Sequence, residues 1–557
     1  MMGLAGLLGV SVGQEAVPKG LTYSDAVKVC QVGYLPNETK FAMITAEPKG
    51  PVNIQSVTAH ANGPLIRAVK KGIEADSGDT VWWLDFSSLK TPGEYYLEVP
   101  GVGASRHFTI GKDIFATPFR LAIRSFYGQR SGVSVDLGPD YPQYRFDAGH
   151  TALGEYHESA GKTGKRDVSG GWYDAGDYGK YIVNSGITTG TLLHTWEQYG
   201  GKLRRMNLNI PESGGPQPDF LDEIKWNVDW MLKMQDDDGG VWHKATTANF
   251  PGFVLPKADL DRVLVIGPKN TPATADFAAV TAIAARAFRK TNPDYADRCL
   301  RAAERAWVWV EGNPGVLYPG NPKGIGTGGY GDSDASDERL WASAELFRTT
   351  GKAVYHRSFL DAQTKWTPAL KAGEAQGWGN VSNLAFYTYL FASGKDAPTA
   401  ERIRKDALTA ADGIVARIAD HGYRMPLGSN EYYWGSNSVV ANYAIMLLFA
   451  DRLNGKNPAY KNGALDCLHY LLGRNTFNTS FVTGVGSKWA MHPHHRPSGA
   501  DGIDQPWPGL LVGGPNADNG IKPPARQWFD EAGSYRTNEN AINWNAALVF
   551  ALAGVLP

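Results

Sequence analysis

Glu539 stands in the polar turn Thr537-Asn538-Glu539-Asn540, directly ahead of an apolar run from Ala541 to Leu556. Trp528, Phe529 and Tyr535 lie just upstream. Apolar walls raise a carboxyl pKa and a helix start lowers it, so such a group can be tuned as a proton donor. Taken alone, Glu539 reads first as an ordinary helix-start residue. Asp174 and Asp177 form a second acidic cluster roughly 360 residues earlier, in GGWYDAGDYGK (170–180). Two carboxylates three apart resist simultaneous ionisation unless hydrogen-bonded or solvated, and together they can share a water. A calcium loop or a helix cap is the competing reading of that pair. Carboxyl groups from two distant segments, each set among glycines and aromatics, are what cleavage of a glycosidic bond requires.

The elements that must carry these groups change character along the chain. From 25 to 112, short β-rich runs such as FAMIT (41–45), VWWLDF (81–86), YYLEV (95–99) and RHFTI (106–110) are broken by Pro and Gly, which predicts a small sandwich. From Phe115 the apolar period becomes helical. In 219–235, Phe220, Ile224, Val228 and Met231 share one face. Segments 273–290, 337–351, 436–455 and 464–475 continue in kind, roughly a dozen in all, each closed by Gly, Asn or Pro. Long loops at 163–180, 236–272, 312–336, 421–435 and 476–538 hold the polar and aromatic residues. That pattern fits a closed α/α toroid with a cleft at one end better than a bundle with short connections.

Composition narrows the partners. The 55 basic and 56 acidic residues balance, which argues against nucleic acid or an acidic membrane surface. Aromatic content of 11%, with 17 Trp and 25 Tyr, exceeds what a core needs and suits stacking on flat ligands such as sugar rings. Cys30, Cys299 and Cys467 are isolated and read as buried small hydrophobes. Met1 to Ala16 has an apolar run without a basic start, as in a clipped signal peptide, so 1–24 is expected to be a leader remnant and the protein secreted, extracellular or periplasmic. No stretch of about 18 apolar residues follows, and no membrane span is expected. A monomer is expected.

With these motifs in hand, the chain resembles glycoside hydrolase family 9, the cellulase family E. GGWYDAGDYGKYIVNSG looks like that family's catalytic-base segment. Trp528-x-Asp530-x4-Tyr535-x3-Glu539-x-Ala541-x3-Asn545-Ala546 resembles its acid signature, and GVGSKWAMHPHHRPSG (484–499) its remaining signature. DFLDEIKW, TADFAAV, YYWGSNSVVAN (432–442) and PWPGLLVGGPN (506–516) are further matches, and QVGYLP (31–36) resembles the opening strand of the immunoglobulin-like module found in one subgroup. The resemblance implies a multidomain chain: an all-β immunoglobulin-like sandwich at 25–112, then an all-α (α/α)6 barrel at 115–557. It implies Glu539 as general acid, Asp177 as general base and Asp174 as the aspartate that helps hold the nucleophilic water. His494 and Arg496 match residues that bind sugar hydroxyls, whereas His492 and His495 read as structural. Trp434, Trp378, Trp242, Tyr535 and His243, all in loops, are candidate substrate contacts.

The family inverts anomeric configuration, which calls for roughly 6.5–9.5 Å between the two carboxyls. Glu539 is expected to be the most desolvated, and Asp177 and Asp174 the more hydrated pair. The leading expectation is an endo-acting β-1,4-glucanase on cellulose or related β-glucans. An exo-acting glucosidase, glucosaminidase or cellobiohydrolase on the same fold is the first rival, and an inactive carbohydrate-binding protein the second. Some relatives hold calcium in a segment that looks like GDSDASDE (331–338), so Asp332, Asp334, Asp337 and Glu338 are candidate Ca²⁺ ligands, against the reading of a solvated helix start. Asp501 and Asp504 form a weaker second candidate, and MQDDDGG (234–240) reads as a polar turn. Relatives with this module can also carry zinc on cysteines and histidines. Here the matching positions read Ser131, Gly149 and His150, which leaves no thiolate, so zinc is not expected.

Overall fold

The structure is a computed structural model and describes residues 22–57, 62–518 and 520–557. Residues 1–21 of the expected leader lie outside the described residues. The N-terminal part consists of β1 (Val27–Lys28), β2 (Gly33–Tyr34), β3 (Phe41–Ile44), β4 (Val52–Ser56) and β5 (Asn62–Ile66). After these come β6 (Val69–Ile73), β7 (Thr80–Asp85), β8 (Gly93–Val99), β9 (Gly103–Ala104) and β10 (Phe108–Ile110). One sheet has the order β1-β3-β7-β6, and the other β2-β10-β8-β4-β5 with β9 on β8. Tyr34, Phe86 and Phe108 meet edge to face between them, at 5.0 and 5.4 Å from the Tyr34 ring. The four expected strands are β3, β7, β8 and β10. VNIQS (β4) and VKKGI (β6) escaped notice because they are short and polar, and β6 is an exposed edge.

Helices follow in two rings. They are α1 (Ala116–Gly128), α2 (Ile182–Leu203), α3 (Asp219–Lys233), α4 (Thr271–Phe288), α5 (Pro293–Gly312), α6 (Ser336–Thr350) and α7 (Ala353–Ala362). After them come α8 (Ser382–Leu390), α9 (Ala397–Asp420), α10 (Ser436–Leu453), α11 (Pro458–Leu471), the short α12 (Arg496–Ala500) and α13 (Tyr535–Asn538), and α14 (Ile542–Val555). The inner ring is α2, α4, α6, α8, α10 and α14. These helices are buried on most sides, as a helix enclosed by neighbours is, and α14 is the extreme case: all of it except Gly554 is buried. The outer ring is amphipathic. Along α9 the buried positions are Ala400, Ile403, Ala407, Ala410, Ala411, Ile414 and Ile418, a helical stripe facing inward. Tyr387 of α8 stacks on Phe449 of α10 at 4.1 Å and helps close the ring. Phe220, Ile224, Val228 and Met231 are all fully buried, as their spacing predicts. The last expected outer helix starts earlier than its apolar run, at Pro458, because Asn457 accepts the Ala459 N–H and Pro458 needs no partner at the first position.

The sandwich is fastened to the barrel by buried polar contacts. Gln31 carries the main link: its Oε1 accepts the Ser487 and Lys488 N–H groups at 3.0 and 2.8 Å, and its Nε2 donates to Asn478 O at 2.9 Å. Trp83 Nε1 donates to Gly422 O at 2.6 Å, and the Arg424 guanidinium lies 4.1 Å over Phe41. Glu74, Asp76 and His421 also gather at this interface, close enough to suggest a metal site. His421 Nδ1, however, accepts the Tyr423 N–H at 3.0 Å, so the proton of the neutral ring sits on Nε2, 3.5 Å from Glu74 Oε1. Together they form an interdomain polar contact, with His421 Nε2 3.5 Å from Glu74 and 4.0 Å from Asp76. Gln31→Leu strips two buried N–H groups of their acceptor and is expected to cost about 1–3 kcal/mol. Thermal unfolding would register this as a melting temperature about 1–3 °C lower; an unchanged one removes Gln31 from the link.

Candidate active site

Three segments far apart in sequence are stitched together at one mouth of the barrel. Ala175 and Ala541 form an antiparallel bridge, and the Ile542 N–H donates to Asp174 O at 2.9 Å. His494 bridges in parallel with Glu539, its N–H donating to Asn538 O at 2.8 Å. The Arg496 N–H and Nη1 both donate to Gly176 O, at 3.0 and 2.9 Å. Gly176 is required by this close approach, since a Cβ there would lie 1.8 Å from His494 O. The bridge sets Asp174, Asp177 and Glu539 around a single cavity of about 860 Å³.

Hydrogen bonds distinguish the three carboxyls. Asp174 accepts Tyr330 Oη–H at 2.6 Å and Asn184 Nδ2–H at 2.7 Å, and Asp177 accepts the Gly179 N–H at 2.8 Å. Burial and the charge of Asp177 push Asp174 up to about 8, against the pull of Tyr330 and Asn184. Burial also raises Asp177, opposed by the Arg496 charge and the Gly179 N–H. Glu539 is raised well above the carboxylate range by the surrounding protein and then by the two aspartates, with Arg496 and a Gly176 N–H acting against them. The expectation of a hydrated aspartate pair needs correction: Asp174 is 2% and Asp177 6% exposed, while Glu539 is only half-buried. Donated hydrogen bonds and the Arg496 charge oppose the rise in pKa at the aspartates.

Aromatic rings line the cavity in two groups. Trp434 and Tyr535, 42% and 43% exposed, lie 5.3 Å apart, and Tyr535 is 5.9 Å from His494. Trp378 meets Tyr330 at 5.1 Å, and Tyr330 meets Tyr181 at 4.8 Å. His494 Nδ1 donates to Ala532 O at 2.5 Å, and burial lowers its pKa, so its Nε2 is left as an acceptor. Arg496 is buried, with Nε on Pro251 O at 3.0 Å, and so clamps the base turn as well as facing the cavity. Phe250, Tyr433, Tyr181, Tyr330, Asn543, Trp544 and Asp518 line it too and were not singled out in the sequence. The one visible signal was that Tyr433 adjoins Trp434 in YYWGSN.

Two expected contacts are elsewhere. Trp242 is 1% exposed and packs on Tyr156 at 4.9 Å, so it belongs to the core. His243 is fully buried, stacks on Tyr318 at 3.7 Å and sends Nε2 to Gly329 O at 2.8 Å. Burial brings its pKa down to about 3, so it is a neutral structural ring.

The acidic segments also separate. Asp501 accepts the Ile503 N–H and Trp507 Nε1–H, while Asp504 is exposed, so these two close a turn and form no ligand cluster. Asp334 is exposed and accepts the Ser336 N–H, and Asp332 Oδ1 accepts the Asp334 N–H. Asp337 accepts the Val381 N–H at 2.7 Å. Glu338 is fully buried with neither oxygen bonded, and so is Asp276 on α4, which the sequence reading missed. Burial raises both well above the carboxylate range, with added repulsion from Asp337 and Asp332. His150, at the position matched to a zinc ligand, spends its nitrogens on Tyr173 Oη at 2.9 Å and Asp259 Oδ2 at 3.0 Å.

A helical toroid whose mouth gathers three carboxyls in an aromatic trough, behind an immunoglobulin-like module, is the architecture of a glycoside hydrolase. The chain belongs to glycosyl hydrolase family 9, whose family model matches residues 115–552; the cellulase N-terminal ig-like domain matches residues 22–104. It is 38% identical to Endoglucanase D of Acetivibrio thermocellus over 99% of this chain and 86% of that protein. It is 36% identical to the xyloglucan-specific endo-beta-1,4-glucanase BoGH9A of Bacteroides ovatus, covering 96% of this chain and 94% of the relative. A solved Bacteroides ovatus GH9 structure superposes with a TM-score of 0.87 at 35% identity, over 95% of this chain and 98% of that one.

Gly176→Ala forces the base turn away from His494, and a shift of this kind is expected to cost about 100-fold in kcat with the helical fold retained. Steady-state kinetics with circular dichroism test it; a folded variant of unchanged kcat means that the three segments need not touch.

Proposed function

We propose that this chain is an inverting endo-β-1,4-glucanase acting on cellulose or a related β-glucan. The observation that carries the reading is the Ala175–Ala541 bridge, which sets Glu539 and the hydrogen-bonded aspartate pair on the same cavity. Glu539, held protonated, donates to the glycosidic oxygen as the bond to the anomeric carbon breaks. Water attacks that carbon from the opposite face and gives its proton to Asp177, while Asp174 orients the water. Trp434, Trp378 and Tyr535 offer flat faces to glucose rings, and His494 offers an acceptor for a hydroxyl. Endo action is supported by relatives named as endoglucanases. An enzyme of this kind works outside the cytoplasm, in keeping with the apolar N-terminal run; no helix among the described residues is long and apolar enough to cross a membrane.

Calcium is proposed as a structural ion. What supports it is two fully buried, unbonded carboxylates, Asp276 and Glu338, beside Asp337 and Asp332, oxygen donors of the kind a hard divalent cation takes, although no three of these side chains bring ligand atoms within 4.8 Å of one another. Bound there, it would neutralise charge that α4 and α6 otherwise bury uncompensated.

Glu539→Gln and Asp177→Asn are each expected to lose about 10²–10⁴-fold in kcat on cellohexaose while still binding it. Wild-type turnover in either variant removes that assignment. Viscosity of carboxymethylcellulose should fall well ahead of the rise in reducing ends, whereas parallel changes mean exo action. Dialysis against a calcium chelator should lower the melting temperature, with recovery on adding Ca²⁺; no change removes the ion.

A further inference from the structure

Lys244 lies on a short rim strand, Lys244–Thr246, in register with Tyr181 just beyond the base turn. It is 2% exposed, and among the described residues it has no ion-pair partner within 4.0 Å. Its ammonium donates to Asn321 Oδ1 at 2.9 Å, Thr327 Oγ1 at 3.0 Å and Gly328 O at 2.6 Å. A buried cation without a counter-ion at contact distance is costly, and three neutral acceptors repay only part of that. Next to it, His243 pins the following carbonyl, Gly329 O. The loop is thus held at two consecutive carbonyls immediately before Tyr330. Tyr330 has φ +47°, a left-handed conformation that a bulky residue keeps only where its surroundings dictate it. From that position its hydroxyl reaches Asp174.

We propose that Lys244 is a positioning residue for the aspartate pair: it locks the 318–330 loop so that Tyr330 meets Asp174, and it keeps a cation behind Asp174 and Asp177. The proposal rests on the reading of Asp177 as base. Facing the same pair are Arg496 from the 484–499 segment, Glu539, His494 and the phenols of Tyr181 and Tyr330. Arg496 is the other cation, and its guanidinium is committed to Gly176 O and Pro251 O. Burial lowers Lys244 to about 8, opposed by Asp177 and Asp174, so it is charged throughout the acidic and neutral range.

Lys244→Met is expected to lower kcat on cellohexaose about 10- to 100-fold, in the range of other residues that orient a reacting group from behind. It should also move the acid limb of kcat/KM upward by about one pH unit, because losing a nearby cation makes the base harder to deprotonate. Lys244→Arg should return the limb to its wild-type position. A merely structural lysine would lower the melting temperature and leave the limb in place, and that result in a folded Lys244→Met enzyme overturns the proposal. Should Lys244→Met fail to fold, Thr327→Val loosens the clamp and keeps the charge. It is expected to lower kcat with the limb unmoved, and wild-type kcat there removes the clamp. An active Asp177→Asn enzyme would instead fell the base assignment itself.

Discussion

The bridge between Ala175 and Ala541 is the constraint on which the rest of the site depends. It is a single pair of backbone residues, yet it brings the end of the chain against a turn that precedes the second helix of the barrel. The toroid makes this geometrically natural. α14 is the last inner helix and lies beside α2, the first, so the loops entering these two helices share one mouth. The 484–499 segment closes the triangle through His494 and Arg496. The immunoglobulin-like module enters the same chain of contacts from behind, since Gln31 holds Ser487 and Lys488 a few residues before His494. Among the described residues the β-module puts no side chain in the cavity, yet it is joined to it through these contacts.

Gathering three carboxyls costs stability, and the structure manages that cost unevenly. Asp174 receives a phenol and an amide, Asp177 a backbone N–H and the field of Arg496, and Glu539 little beyond one N–H. Donated hydrogen bonds favour the charged form, and their scarcity favours the neutral one. The three carboxyls are thereby distinguished by hydrogen-bond supply, in an environment where both aspartates are buried. His194, Glu197, Arg286, Glu345 and Arg348 form a compensated ion network among the inner helices, whereas the carboxyls at the mouth are left in mutual repulsion.

Much of this was legible in the residues because periodicity reports burial directly. The stripe Phe220, Ile224, Val228 and Met231, the alternation in β7 and β8, and the acid motifs all carry local signals. Burial of a loop residue has no such signal. Trp242 and His243 look like Trp434 in sequence, but the first two support a rim sheet from beneath while Trp434 stands open beside Tyr535. Asp276 was missed for the opposite reason: inside the apolar run of α4, one acid reads as an incidental polar residue, and only its approach to Glu338 makes it notable. Asp501 and Asp504 share a spacing with ligand pairs, but Trp507 takes one of them. Spacing along the chain states which groups can meet, and the bridges decide which of them do.

The central claim is that Glu539 and the aspartate pair act on opposite faces of one sugar, with water between the base and the anomeric carbon. Proton NMR of cellohexaose hydrolysis, followed from the first seconds, tests it most directly. Inversion predicts that the α-anomer of the new reducing end appears first and then mutarotates toward equilibrium. Initial accumulation of the β-anomer would mean that one of these carboxylates attacks the sugar itself, and would contradict the account.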